Sequence, residues 1–282
     1  PFYVRPTKFQ SNLYELSQNP VALSHFSNNI VRQFNLFRNV EAAFDLLQDK
    51  SLRFRSNVGV ELNFNHAKVF MQNFGDDERV NPSVDIGQGR HNRPNGFNED
   101  RGEDYTITWN HILSYDKTLG DDHLVNALIG SAFINNQSSS INASRRRFEY
   151  TLDRFQYIDL GGTGQDLWNG GFANEWALFS VFTSATYSYK NKYSVTGNLR
   201  ADASSRFGSD NKWGYFPSIA LGWTVSNEDF FPSGSAISFL KVRASTGRLG
   251  NQNIPNYAYL SLFSREGNIT RYGNPQLRWE ST

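Results

Sequence analysis

Between Ser51 and Phe64 the chain alternates strictly. Leu52, Phe54, Val58, Val60, Leu62 and Phe64 occupy even positions, and Arg53, Arg55, Asn57, Glu61 and Asn63 occupy odd ones. Successive side chains of an extended strand point to opposite faces, so this segment predicts a strand with one apolar and one charged face. It is more than twice as long as the ~5–6 residues usual in soluble proteins.

The preceding segment repeats the pattern. Phe34, Leu36, Val40, Ala42, Phe44 and Leu46 alternate with Gln33, Asn35, Asn39, Glu41 and Asp45. Gln48-Asp49-Lys50 is a tight polar turn, and a long antiparallel hairpin follows. Three more hairpins are expected. Tyr105, Ile107, Trp109, His111, Leu113 and Tyr115 share a face, and the chain returns through Leu124–Phe133 after Gly120-Asp121-Asp122. Phe179–Tyr189 turns at Lys190-Asn191-Lys192 into Tyr193–Asp202. Tyr215–Val225 is followed, across a longer turn, by Leu240–Ser245. The turns at 48–50, 119–122 and 190–192 are short, and the linkers at about 70–104 and 134–175 read as long polar loops.

Short connections on one side and long ones on the other fit a transmembrane β-barrel with periplasmic turns and extracellular loops. Tyr187, Tyr189 and Tyr193, and Trp213, Tyr215 and Phe216, stand at strand ends, where interfacial aromatic rings belong. The competing fold is a soluble antiparallel sandwich with one wet face. Its strands are usually shorter and its loops less unequal.

Hydropathy conceals such a barrel. No apolar run approaches the ~20 residues of a membrane helix, and alternating strands average out as hydrophilic. The net charge of +1 argues against nucleic acid as a partner. With no cysteine there are no disulfides, thiolate catalysis or zinc-thiolate sites. His25, His66, His91, His111 and His123 lack metal-ligand spacing. Gly161-Gly162-Thr163-Gly164 has neither the buried strand before it nor the helix after it that a phosphate loop needs, and reads as a loop tip. Arg145-Arg146-Arg147 reads as a solvated charge run or a contact to an anionic surface. No nucleophile–base or paired-carboxylate set emerges, so neither an enzyme nor a cofactor is expected. Pro1-Phe2-Tyr3-Val4 is no signal peptide, and the chain is expected to start in mid-protein.

From Ser188 onward specific motifs appear in order. They are Tyr189-Lys190-Asn191-Lys192-Tyr193, Arg200-Ala201-Asp202-Ala203-Ser204-Ser205-Arg206-Phe207-Gly208 and Lys212-Trp213-Gly214-Tyr215-Phe216-Pro217-Ser218. Gly222-Trp223, Asn227-Glu228-Asp229-Phe230, Phe239–Ser245, Gly250–Ile254 and Asn274-Pro275-Gln276-Leu277-Arg278-Trp279-Glu280 follow. This stretch resembles the SusC/RagA family of TonB-linked outer-membrane transporters of Bacteroidetes-type bacteria. Looser matches at Asn19-Pro20, Phe54–Gly59 and Leu113–Thr118 extend the resemblance over nearly the whole chain. Ala203 stands where the family usually has Gly, and the short stretch Leu260–Tyr272 suggests a trimmed loop.

The resemblance implies an all-β antiparallel barrel of 22 strands with a plugged lumen, of which residues 1–282 would supply about eight to ten strands and neither plug nor closing strand. It further implies import of glycans or peptides across the outer membrane, energy from TonB, a SusD-like surface lipoprotein as lid, and a dimer of transporter–lid pairs. The alternative is a docking barrel in a surface assembly that transports nothing itself. Arg200, Asp202, Lys241 and Arg243 are expected to face the lumen, against substrate, plug or one another as a charge ladder. Phe97, Tyr157, Trp168 and Trp176 are expected on extracellular loops, as contacts to ligand or lid.

Overall fold

The computed structural model describes residues 24–72, 94–232, 237–263 and 269–282. Asn19-Pro20 and His91 lie outside the described residues. Eight strands form one sheet in chain order: β1 (Ser27–Asp45), β2 (Leu52–Met71), β3 (Gly96–Leu119), β4 (His123–Arg146), β5 (Leu167–Tyr189), β6 (Tyr193–Ser204), β7 (Trp213–Thr224) and β8 (Lys241–Gly247). Among the described residues β1 and β8 remain edges. After β8 come two small antiparallel pairs, β9 (Gly250–Asn251) with β12 (Glu280–Ser281) and β10 (Leu262–Phe263) with β11 (Ile269–Arg271).

Register aligns the two kinds of side chain into two faces. Tyr187 pairs with Val195, Val195 with Leu221 and Leu221 with Ala244. Tyr193 pairs with Trp223 and Trp223 with Val242. The next rows are polar: Thr186, Thr196, Ala220 and Ser245, then Ser184, Asn198, Ser218 and Gly247. A shift of one residue in any strand would mix the faces. In β2 and β3 the expected apolar sets also share a face: Phe54 stacks on His111 at 5.9 Å, and the Trp109 indole donates to Ser56 Oγ at 3.5 Å. On the opposite side Arg53 pairs with Asp45 at 2.6 Å and Asn57 donates to Asn39 at 2.7 Å.

The short turns form where expected, each by its own device. Asp49 Oδ1 accepts from Ser51 N and Oγ at 3.1 and 2.7 Å, closing the first. Gly120 supplies a φ of 61° in the second. Lys190 and Asn191 adopt φ of 52° and 53° in the third, the left-handed pair that matches strand twist in a type I′ hairpin turn.

The long loops are shorter than expected. Residues 96–104, 134–146 and 167–175 belong to strands, so β3 and β4 have 24 residues each and β5 has 23. A membrane strand needs only ~9–11. These outer portions do not alternate, which is why their sequence resembles loop. A strand segment wetted on both faces keeps its backbone ladder without needing an apolar side.

By packing, the chain divides into two compact units. One gathers the described residues up to Leu36 with those of Leu62–Asp104 and Ser138–Ala173. Its core is Phe70, Phe97 and Phe148, with Ile158 against them. Phe148 meets Phe70 and Phe97 edge-on, at 5.5 and 6.0 Å between centroids. The fully buried Asn95 side chain both donates to Phe148 O and accepts from Phe148 N, at 2.8 and 2.7 Å. The connection 147–166 carries three short 3₁₀ turns and is tied down by Arg145 donating to Asp159 O at 3.2 Å and by Arg147 pairing with Asp166 at 2.5 Å. It is ordered by its own chain. The second unit holds 37–61, 105–137 and the described residues from Asn174 on.

Phe148→Ala in the full-length protein should cost about 3–5 kcal/mol locally, the usual loss for a buried aromatic ring. Hydrogen exchange should then show lost protection at 147–166 with β5–β7 unchanged.

Candidate functional site

The polar face of β5–β8 brings the expected charged residues onto one wall. Ser180 pairs across with Asp202 and Phe182 with Arg200, and Gly222 and Thr224 oppose Arg243 and Lys241. Arg200 Nε donates to both oxygens of the buried Asp202 carboxylate, at 2.8 and 2.9 Å, and Nη2 donates to Ser180 Oγ at 2.9 Å. Its guanidinium also lies 5.7 Å from the Phe182 ring centre. Phe182 in turn needs Gly130, because a Cβ there would come within 2.5 Å of its ring. Arg200 and Asp202 are thus paired with each other, the carboxylate buried and the Arg200 side chain about half exposed. Lys241 and Arg243 have no ion-pair partner among the described residues.

The four expected loop aromatics fare differently. Phe97 lies on β3, not a loop, and at 2% exposure it is core and out of reach of any ligand. Trp168 and Trp176 lie on β5, again not on a loop. Trp168 is exposed, while Trp176 has the Arg206 guanidinium 5.0 Å from its ring centre. Only Tyr157 sits on a connection, half-exposed, with Lys68 Nζ 5.3 Å from its ring centre.

The sequence motifs themselves build two fasteners that side-chain chemistry alone did not single out. At the β6–β7 connection, the segment after β8 folds back. The Trp279 indole donates to Lys212 O at 2.9 Å and packs on Phe207 and Phe216 at 5.2 and 5.3 Å. Arg206 donates to Gln252 O at 3.3 Å, and Asn211 Nδ2 donates to Pro275 O at 3.3 Å. Gly250 is obligatory here, since a Cβ would lie 2.1 Å from the Phe216 ring. The long spacing between these partners hid the contact.

At the short-turn end, Glu228 gathers three donors: Tyr193 Oη at 2.5 Å, the Trp223 indole at 3.0 Å and Lys192 Nζ at 3.0 Å. Lys192 also reaches Asp229 at 3.2 Å. Similar ties run between the other short turns, Asp49 to Lys117 at 3.1 Å and Asp122 to Lys190 at 3.6 Å. The hydrogen bonds from Tyr193, Trp223 and Lys192 hold the Glu228 carboxyl down to about 2, from an ordinary 4.5. Serine and lysine bonds likewise hold Asp49 at about 2. Among the described residues no group of three His, Asp or Glu could hold a metal ion.

No protein-family model matches the chain. It is 32% identical over 281 residues to the TonB-dependent receptor P39 of Formosa agariphila, covering 94% of this chain and 25% of that protein. It is 27% identical over 281 residues to the TonB-dependent receptor SusC of Bacteroides thetaiotaomicron, covering 94% and 26%. The chain therefore spans about a quarter of the length of these relatives. Among solved structures it is similar to the RagAB peptide transporter, at a TM-score of 0.79 and 22% identity, over 92% of this chain and 28% of that one. The closed-closed state of the RagAB peptide importer gives a TM-score of 0.78 at 22% identity, over 91% and 28%.

The Glu228 cluster should respond to acid with a definite sign. A carboxyl held below its unfolded value stabilises above that value and loses the contribution as pH falls through the folded one. Protection of the Thr224 amide, which donates to Lys192 O at 2.7 Å, should persist at pH 5 and fall between about 4.5 and 2. In Glu228→Gln that acid step should vanish.

Proposed function

We propose that this chain, which belongs to the barrel of the SusC/RagA-type TonB-dependent transporters of the outer membrane, forms wall past which a glycan or peptide nutrient is imported. The observation that carries this reading is the aligned register of β5–β8, apolar on one face and polar on the other. In an outer-membrane barrel the apolar face meets lipid and the polar face lines the lumen. Arg200, Asp202, Lys241 and Arg243 then face the path. The first two hold the wall together, and the last two offer free positive charge to substrate carboxylates, hydroxyls or the plug.

We place the plug and the TonB-contacting segment elsewhere in the longer protein, as the chain's share of its relatives' length allows. A SusD-like lipoprotein serves as the lid, and transporter–lid pairs associate as dimers. The connection 147–166 offers such a lid a preformed surface with exposed Tyr150, Leu152 and Leu160. The relatives are receptors and importers, and we assign the chain no catalytic role.

Uptake by the full-length transporter tests this. Lys241→Gln with Arg243→Gln should lower uptake severalfold and leave heat-modifiable migration of the barrel intact. Unchanged uptake would remove these residues from the path, and a barrel that assembles with its lid but never imports would favour a docking role. Arg200→Ala should act differently, destabilising by about 1–3 kcal/mol because it strands the buried Asp202 carboxylate. Asp202→Asn added to it should recover part of that loss.

A further inference from the structure

We propose that a cleft on the lipid-side face of β1–β3 holds the phosphorylated sugar headgroup of an outer-leaflet glycolipid. Along β2 the even positions are apolar from Leu52 to Phe64, apart from Ser56, and then change abruptly to His66 and Lys68. The strand starts at a short turn and ends at a long connection, so His66 and Lys68 stand at its extracellular end. The apolar stretch covers 13 residues, roughly 43 Å of strand at ~3.3 Å each. Tilted by ~35–45°, that spans somewhat more than the ~25 Å apolar band. The next outward positions therefore fall at headgroup level.

At that level lies a cleft of about 170 Å³, whose lining includes Arg32, His66, Lys68, Asp153, Gln156 and Tyr157. Of the charged groups in and beside it, the cations Arg32, Lys68 and Arg101 outnumber the carboxylates Asp153 and Glu99 by one. Glu99, beside it, is already shared by His66 at 2.7 Å, Arg101 at 3.1 Å and Lys68 at 3.9 Å. Asp153 accepts from Gln156 at 3.1 Å. Arg32 has no ion-pair partner among the described residues. Cations left over on a surface that faces sideways to the membrane match a ligand bearing exposed phosphate. A zwitterionic headgroup would bring its own ammonium and gain little. The half-exposed Tyr157 ring, braced by Lys68, gives a sugar ring an apolar wall. A free soluble anion would share the charge chemistry but not the ring contact or the sideways approach.

The inference needs the membrane placement of the barrel and not its transport activity, so the two can fail separately. The full-length transporter would be placed in phosphatidylcholine nanodiscs doped with a bis-phosphorylated diglucosamine lipid, and bound glycolipid counted by native mass spectrometry. Arg32→Gln with Lys68→Gln should reduce retention about tenfold, as expected for losing charge-assisted bonds, while Arg32→Lys with Lys68→Arg should keep most of it. Heat-modifiable migration reports that each variant is folded. The proposal is overturned if the dephosphorylated lipid is retained equally, if the neutralised protein binds as well as the parent, or if millimolar inorganic phosphate displaces the lipid completely.

Discussion

Inside a bilayer no water is available to satisfy a backbone N–H or C=O, and each one left unpaired costs several kcal/mol. This constraint explains the unbroken ladder of β1–β8. It also explains why the side chains sort so cleanly, because strands that pair in fixed register to satisfy the backbone must show one face to lipid and the other to the lumen. The row Tyr187, Val195, Leu221 and Ala244 and the row Ser184, Asn198, Ser218 and Gly247 are two consequences of one set of hydrogen bonds.

What remains for the sequence to specify is how the ladder ends. At the short turns the ends are tied across the sheet by Asp49 to Lys117, Asp122 to Lys190 and Lys192 to Glu228. The two exposed pairs, Asp49–Lys117 and Asp122–Lys190, contribute little singly. Their value here is geometric, since Lys190 and Lys192 also tie their turn to its neighbours through backbone bonds to Asp122 and Thr224. Each unit also has a packing of its own, the Phe70–Phe97–Phe148 core in one and the Trp279 fastener in the other. The polar residues of these ties and fasteners thus act as structure.

The strands and their faces were legible in the sequence wherever lipid forces alternation, as in Leu52–Phe64 and Phe179–Tyr189. Legibility failed where both faces are wet. Residues 134–146 and 167–175 are strand, yet Asn135, Gln137 and Glu175 are polar on the very face that is apolar lower down, and they bond to one another at 3.1 and 3.2 Å. Phe97 is hidden for the same reason, because the surrounding polar sequence resembles loop while the ring enters a small local core. Of the candidate wall, the shared face of Arg200, Asp202, Lys241 and Arg243 followed from parity alone. The Arg200–Asp202 closure and the partners of Trp279 did not, since the first depends on rotamers and the second joins residues 67 positions apart.

The most direct test of the two-faced wall is cysteine accessibility along β2 in the full-length transporter, helped by the absence of cysteine from this chain. Single substitutions Val58→Cys, Val60→Cys and Leu62→Cys, against Asn57→Cys, Glu61→Cys and Asn63→Cys, would be probed with a membrane-impermeant maleimide and a lipid-borne quencher of an attached fluorophore. The account predicts alternation of period two, with odd positions labelled from water and even positions quenched from lipid. Equal labelling of both sets, or the opposite parity, would contradict it.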